Sequence, residues 1–242
     1  MRFRNTIKTP FSWGRKYSKS LKISKPVLYG DEVSPPVRFV MMTASLLKIE
    51  LEFIQIDLFS GENRSESYAK INPLKKVPAL AVDNNIILDS HAAAIYLCQT
   101  LSSQHLYPND IILRAKLNEM LFYNSSTLFR LDSEILSQYF AGKLDETKKI
   151  EEWQHALDYL DSRLEKNIWL TGNKMNLSDL CLMSTITSMQ QLFPLTNRHR
   201  KLLSWINRFD NVPEVKEINN RGLRKLKHYI DLFDRTKRSD KF

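Results

Sequence analysis

From Pro26 onward, apolar and polar positions fall into short, distinct blocks. Val27-Leu28-Tyr29 is an apolar run of strand length. Ser34-Pro35-Pro36 follows, and then Val37, Val40, Met41, Ala44 and Leu47 recur at the spacing of one buried helix face. Serine can cap a helix and proline is tolerated in its first turn, so this start is well marked. LEFIQIDL then alternates as a half-buried strand does. After a polar stretch, Val77 to Val82 and Ile86 to Leu88 predict a hairpin, turned at Asp83-Asn84-Asn85 by residue types that tolerate left-handed backbone. Asp89-Ser90 opens an apolar helix from Ala92 to Cys98. Two strands joined by a crossover helix pair in parallel, and the hairpin adds an antiparallel edge, so the order predicts a compact α/β unit.

Residues 102–110 are polar and predict a linker. Everything after them is patterned as helix. Trp153, Ala156, Leu157, Leu160 and Leu164 form one stripe. Asn176-Leu177-Ser178-Asp179 resembles a capping box with Asp in place of the usual Glu or Gln, and an apolar helix from Leu180 to Leu192 follows it. Trp205 and Phe209 mark a further helix, and the charged residues from about Arg235 are expected to fray. The divisions are therefore an extension (1–25), an α/β domain (26–101), a linker (102–110), an all-helical domain (111–234) and a charged tail (235–242).

Charge changes this picture only at the N-terminus. The net charge is +9, but eight of the 36 lysines and arginines, and none of the 27 acids, lie in the first 25 residues. The remainder carries 28 basic and 27 acidic side chains, so the folded body has no overall basic excess to suggest nucleic-acid binding. The first 25 residues have transit-peptide traits, although Pro10 and Gly14 interrupt any amphipathic helix there; a disordered arm or an upstream extension of the reading frame fits equally. No window contains the roughly 18 apolar residues of a membrane-spanning helix. Cys98 and Cys181 each sit in an apolar helical stretch, form no CxxC pair and are expected to be reduced core thiols, in keeping with a reducing compartment.

Four places could carry chemistry. Ser34 lies between a strand and a helix N-terminus, where an anion is stabilised and a hydroxyl could donate to a thiolate; on the tripeptide alone, a plain N-cap is the simpler reading. Asp89-Ser90 could hold a ligand's ammonium and carboxylate, or could equally cap the next helix. Val77-Pro78 is expected to be trans if taken by itself, because only roughly 5–6% of such bonds are cis. Asp132 has Leu128, Ile135 and Leu136 at helical neighbour positions and so lies on an apolar stripe, where an unpaired carboxylate is costly; a helix break with Asp132 as cap or reaching water is the bland alternative.

Taken together and in order, VLYGDEVSPPVR, INPLKKVPAL and ILDSHAAAIYL resemble the three glutathione-site motifs of the glutathione transferases, over about Pro26 to Pro213. Ser-Pro-Pro is similar to the form found in the insect delta and epsilon classes. The resemblance implies a thioredoxin-like N-terminal domain followed by an all-α domain, glutathione as co-substrate, no metal, a homodimer and a cytoplasmic location, mitochondrial only if residues 1–25 are a transit peptide. By position it implies that Ser34 stabilises the thiolate, that the Val77 backbone pairs with the cysteinyl part before a cis Pro78, and that Asp89 and Ser90 grip the γ-glutamyl end. Asn63 and Lys75 fall near the glycyl carboxylate and His91 beside the γ-glutamyl pair. These three depart from the usual residues, although theta-class relatives carry a similar NPLKKVPAL string.

LFRLDSEIL further resembles the corresponding helix of the Noppera-bo group, insect glutathione transferases needed for ecdysteroid production, as do Ser-Pro-Pro-Val-Arg, Asp-Ser-His-Ala and Leu-Phe-Pro-Leu at 192–195. That resemblance implies that Asp132 accepts a hydrogen bond from a sterol or steroid hydroxyl and that Phe59, Phe129 and Ser133 line the pocket around it. Two alternatives remain at this level: a broad detoxifying transferase in which Asp132 is incidental, and a non-catalytic sterol or lipid carrier on the same fold.

Overall fold

A computed structural model describes residues 25–100 and 105–239, so the basic extension and the first part of the predicted linker lie outside the described residues. The first domain comprises β1 (Val27–Gly30), α1 (Pro35–Leu46), β2 (Glu52–Gln55), the short α2 (Glu66–Ala69), β3 (Ala79–Val82), β4 (Asn85–Ile87) and α3 (Ser90–Thr100). The sheet order is β2-β1-β3-β4. β1 pairs in parallel with β2 (Leu28 opposite Phe53) and antiparallel with β3 (Leu28 opposite Leu80). The strand expected over LEFIQIDL shrinks to four residues because β1 offers only four partners. Beyond them Asp57 folds a turn, its Oδ1 accepting from the N–H groups of Phe59 at 2.9 Å and Ser60 at 3.1 Å. β3 starts only after Pro78, which has no N–H to give a ladder. Val82 pairs with Asn85, leaving Asp83-Asn84 as a two-residue turn with Asp83 at φ 51°.

The second domain comprises α4 (Ile111–Tyr123), a π-helical turn (Asn124–Leu128), α5 (Phe129–Phe140), α6 (Glu146–Arg163), α7 (Leu177–Met189), α8 (Arg200–Asn207) and α9 (Pro213–Ser239). The stripe from Trp153 to Leu164 is buried as its spacing predicts. All thirteen residues of α7 are buried, which makes it the central helix. Its start is a true capping box between Asn176 and Asp179. Asp179 reaches further than a cap: its Oδ1 also accepts from Leu170 N–H at 2.9 Å and Trp205 Nε1–H at 3.0 Å. Burial pushes the Asp179 carboxyl up to about 6, against these hydrogen bonds.

Two expectations change. The end of the predicted linker is part of the core, with Leu106 and Tyr107 buried and Leu106 C=O accepting from Leu177 N–H at 3.0 Å. The tail expected to fray from Arg235 stays helical to Ser239, because Lys237 lies over the rings of Tyr139 and Phe233.

The domains meet where α1 packs on α7 and α9. Arg38 of α1 is fully buried there. It donates to Asn219 Oδ1 (2.9 Å), the carbonyls of Glu32 and Val33 (2.8 Å each), the carbonyl of Ser184 (2.9 Å) and Ser188 Oγ. A side chain at Gly222 of α9 would bring its Cβ to 2.1 Å from the Glu32 carbonyl oxygen, so only glycine lets α9 approach the β1–α1 loop this closely. Among the described residues no helix is long and apolar enough to cross a membrane.

Candidate functional site

Ser34 occupies the N-cap position of α1, but its side chain caps nothing. The physical reason lies in the next two residues. Pro35 and Pro36 have no N–H to donate, and the Val37 N–H is bonded to the Ser34 carbonyl at 3.1 Å. The Ser34 N–H is itself bonded to Asp31 C=O at 2.9 Å. The usual row of free amides at a helix start is therefore missing from Ser34 through Val37. What remains for an anion is the field of the helix and one directional donor, the Ser34 hydroxyl. The simple-cap reading is thus excluded, and so is an anion site built on backbone amides at these positions.

The Val77–Pro78 bond is cis. Taken by itself it was expected to be trans; the cis form agrees with the motif resemblance. Val77 lies outside the β1–β3 ladder, whose last pair is Tyr29 with Ala79. The preceding loop is held by two residues that sequence reasoning passed over. Asn72 Nδ2 donates to Lys76 C=O at 2.6 Å while its Oδ1 accepts from Leu74 N–H at 2.9 Å, and Tyr68 Oη–H donates to the same Lys76 carbonyl at 2.8 Å. Asn63 Nδ2 donates to Lys75 C=O at 2.7 Å. Asn63 therefore fixes the loop that presents Lys75, an exposed residue in the left-handed region at φ 55°.

Asp89 takes the capping role left open for the pair. Asp89 Oδ1 caps α3 through Ala92 N–H at 2.9 Å, yet the side chain remains 66% exposed and so retains acceptor capacity for a ligand. Ser90 is buried at the start of the helix. His91 lies beside them, its Nδ1 3.8 Å from Asp89 Oδ1. Its Nε2 lies 3.2 Å from Cys181 Sγ and its ring packs on Phe39. Burial lowers the His91 pKa, with Asp89 acting weakly the other way. Burial also raises the Cys181 thiol well above its ordinary value. His91 is therefore held at the contact between the domains, beside the Asp89 carboxylate. Cys98 and Cys181 are buried free thiols, as expected.

Asp132 is 1% exposed on α5. Its Oδ1 is buried with no hydrogen-bond partner among the described residues. The helix break falls upstream, in the π turn, so Asp132 neither caps a segment nor reaches bulk water. Burial raises its pKa to about 7, and the Arg38 charge opposes part of that rise. Arg38 in turn is pushed down to about 10, chiefly by its own burial. Arg38 stands one helical turn from Ser34, its backbone N–H bonded to Ser34 C=O at 3.1 Å, while its charge acts on Asp132.

One apolar cluster includes Val33, beside Ser34; Leu136, one turn beyond Asp132; and Tyr139, Leu226 and Ile230. Phe59 closes it, stacked on Tyr229 of α9 at 3.5 Å and edge-on to Phe140 at 5.3 Å. Phe129 is half-buried and joins neither buried cluster, and Ser133 is exposed. Of the three predicted pocket residues, only Phe59 is drawn into this apolar contact.

The same two-domain arrangement is found in known proteins. The profile of the glutathione S-transferase N-terminal domain matches residues 28–105, and that of the C-terminal domain matches residues 132–220. Glutathione S-transferase 1 of Manduca sexta is 31% identical over 201 residues, covering 81% of this chain and 92% of its own. The chain belongs to the glutathione S-transferase family. An epsilon-class glutathione S-transferase from the housefly Musca domestica superposes with a TM-score of 0.82 at 28% identity, covering 86% of this chain and 98% of the housefly chain. A glutathione transferase homologue from Drosophila mojavensis, solved with bound glutathione, superposes with a TM-score of 0.81 at 28% identity over 86% and 97% of the two chains.

This glutathione transferase is of the insect delta/epsilon type, and glutathione is its co-substrate. Sequence reasoning missed the buried Arg38, Asn72 and Asp31 and Tyr229 of α9, which stacks on Phe59. The available signals were faint: an arginine beside the apolar face of α1, and a single glycine, Gly222, inside a long polar helix, which often marks close backbone approach.

Proposed function

We propose that the transferase acts on a hydrophobic, hydroxyl-bearing compound of steroid type, in the manner of the Noppera-bo group and its part in ecdysteroid biosynthesis. Glutathione lies with its sulfur at the Ser34 hydroxyl. The Val77 backbone pairs with its cysteinyl part, Asp89 and Ser90 hold the γ-glutamyl end, and Lys75, on the loop braced by Asn63, faces the glycyl carboxylate. A hydroxyl donating to the sulfur favours the thiolate, the nucleophilic form. The co-substrate occupies the apolar space between Ser34 and α5, in contact with Phe59 and Phe129, and Ser133 borders it. The enzyme works in the cytoplasm as a homodimer.

The observation that carries the steroid reading is the buried Oδ1 of Asp132, which has no hydrogen-bond partner among the described residues. A carboxylate oxygen without a donor is costly in an apolar setting, and a ligand hydroxyl removes that cost while making a charge-assisted hydrogen bond. A site built around such an acceptor discriminates against ligands that lack the donor. The test is the affinity of steroids with and without a free hydroxyl, measured on the intact protein and on Asp132→Ala. The expected preference for the hydroxyl is roughly 10- to 100-fold, and it vanishes in the variant. Equal binding of both ligands, unchanged by the substitution, overturns the steroid reading and leaves a broad detoxifying transferase.

A further inference from the structure

The β1–α1 loop that leads into Ser34 carries two adjacent acids, and both are met by cations from the far end of the chain. Asp31 is fully buried. Its Oδ1 lies 2.8 Å from Lys225 Nζ and accepts from Val33 N–H at 3.2 Å, its Oδ2 accepts from Leu58 N–H at 3.2 Å, and its carbonyl holds the Ser34 N–H. Glu32 is gripped by Arg221, whose Nε lies 2.8 and 2.7 Å from the two carboxylate oxygens and whose Nη2 lies 2.6 Å from Oε1. Gly222 permits the approach, since any side chain there would run into the Glu32 carbonyl. The other charges close to this loop and its partners include Arg38 on α1, committed to the carbonyls of Glu32 and Val33; Asp57, on the turn after β2; Asp132 on α5, which faces Arg38; and Glu217 on α9, which acts on Arg221. None of these pairs with the Asp31 carboxylate.

We propose that Lys225, aided by Arg221, is a positioning residue for the thiolate site: it neutralises the acidic loop before Ser34, so that the sulfur anion forms beside a balanced charge rather than beside a buried carboxylate. This rests on the reading of Ser34 as the thiolate-stabilising hydroxyl. Asp31 is three residues from Ser34 and shielded from water, so its charge is weakly screened at the site. An unpaired negative charge at that range raises the pKa of a neighbouring thiol by about one unit, a tenfold loss of thiolate at neutral pH. Arg221 has the smaller effect because its side chain is 43% exposed and its pair is screened.

The experiment is a pH titration of glutathione bound to the full chain, followed by the ultraviolet absorbance of the thiolate, with the pH profile of kcat/KM for an aromatic halide alongside. Lys225→Met raises the midpoint by about one unit and Lys225→Arg restores it. Asp31→Asn leaves the lysine unopposed and moves the midpoint the other way, whereas a merely structural role moves both variants in the same direction. The double variant Asp31→Asn/Lys225→Met keeps the pair neutral, so it returns the midpoint to the wild-type value even where Lys225→Met alone does not fold. Ser34→Ala serves as the reference. If it leaves the midpoint unmoved, the thiolate reading of the site fails. If it raises the midpoint while Lys225→Met, or Asp31→Asn against the double variant, leaves it fixed, the thiolate reading stands and this inference falls.

Discussion

Replacing Asp132 by Asn removes a titrating proton from the core while keeping the size of the side chain, and its consequence for stability follows from the burial of that residue. An aspartate in the unfolded chain ionises near 4, whereas Asp132 in the folded protein ionises near 7 because burial disfavours its charge more than Arg38 favours it. Between about pH 4 and about pH 7 the unfolded state has lost this proton and the folded state has kept it. The folded state then binds more protons, so this group makes stability fall as pH rises through that window, with no further loss above it. A separation of about three units corresponds to roughly 4 kcal/mol at full ionisation. The Asn variant lacks this dependence. Its own amide can gain or lose hydrogen bonds, but that offset is constant with pH, so the quantity to follow is how the difference between the two proteins changes. Between about pH 5 and about pH 8 the variant gains on the wild type by roughly 2–3 kcal/mol, or about 5–10 °C in Tm for a chain of this size. Urea denaturation of both proteins at a series of pH values measures it. Parallel stability curves, with a difference independent of pH, refute the argument and show that the Asp132 carboxylate finds a partner or water.

Ser34→Ala is expected to lower kcat/KM roughly 100-fold, by analogy with loss of a single anion-stabilising donor, while changing stability by less than about 0.5 kcal/mol, because the hydroxyl caps nothing. Steady-state kinetics and thermal melts together check this, and a stability loss of about 1 kcal/mol with intact activity restores the simple-cap reading. Asp89→Ala is expected to fail on both counts, raising KM for glutathione about tenfold or more through the lost γ-glutamyl contact and lowering stability by about 1 kcal/mol through the lost α3 cap. Gly222→Ala is expected to destabilise the protein by about 1–3 kcal/mol, because its Cβ meets a backbone oxygen that cannot move without the loop before Ser34; unchanged stability and thiol ionisation would show that α9 is not held against that loop. Steroid affinity is expected to rise with pH through about 7, because the ionised Asp132 is the better acceptor for a hydroxyl, and an affinity that instead falls through that range would assign the contact to the protonated acid.

Much of the architecture was legible from local signals. Period-3.6 stripes placed α1 and α6, a capping box before an apolar run placed α7, and the Asp-Asn turn placed the β3–β4 hairpin, because helix faces, caps and tight turns depend on residues a few positions apart. The order of those elements was enough to imply the parallel β1–β2 pair and the antiparallel β3–β4 edge. Element ends were less legible: β2 was shortened by the length of its neighbour, and α9 was extended by Lys237 packing on Phe233 one turn back and on Tyr139 of α5. Ser34 could be singled out as a candidate, and the proline pair that frees its hydroxyl was visible beside it, but the hydrogen bonds that consume the surrounding amides were not.

What the chain determined by itself is the set of faces, caps and motifs, because these arise from interactions between near neighbours. Only the tertiary structure decided that Asp132 is buried with its Oδ1 unbonded among the described residues, that His91 turns against Cys181, and that Lys225 meets Asp31 across 194 positions. Burial and electrostatic pairing depend on what other segments bring alongside a residue, and spacing along the chain carries no record of that.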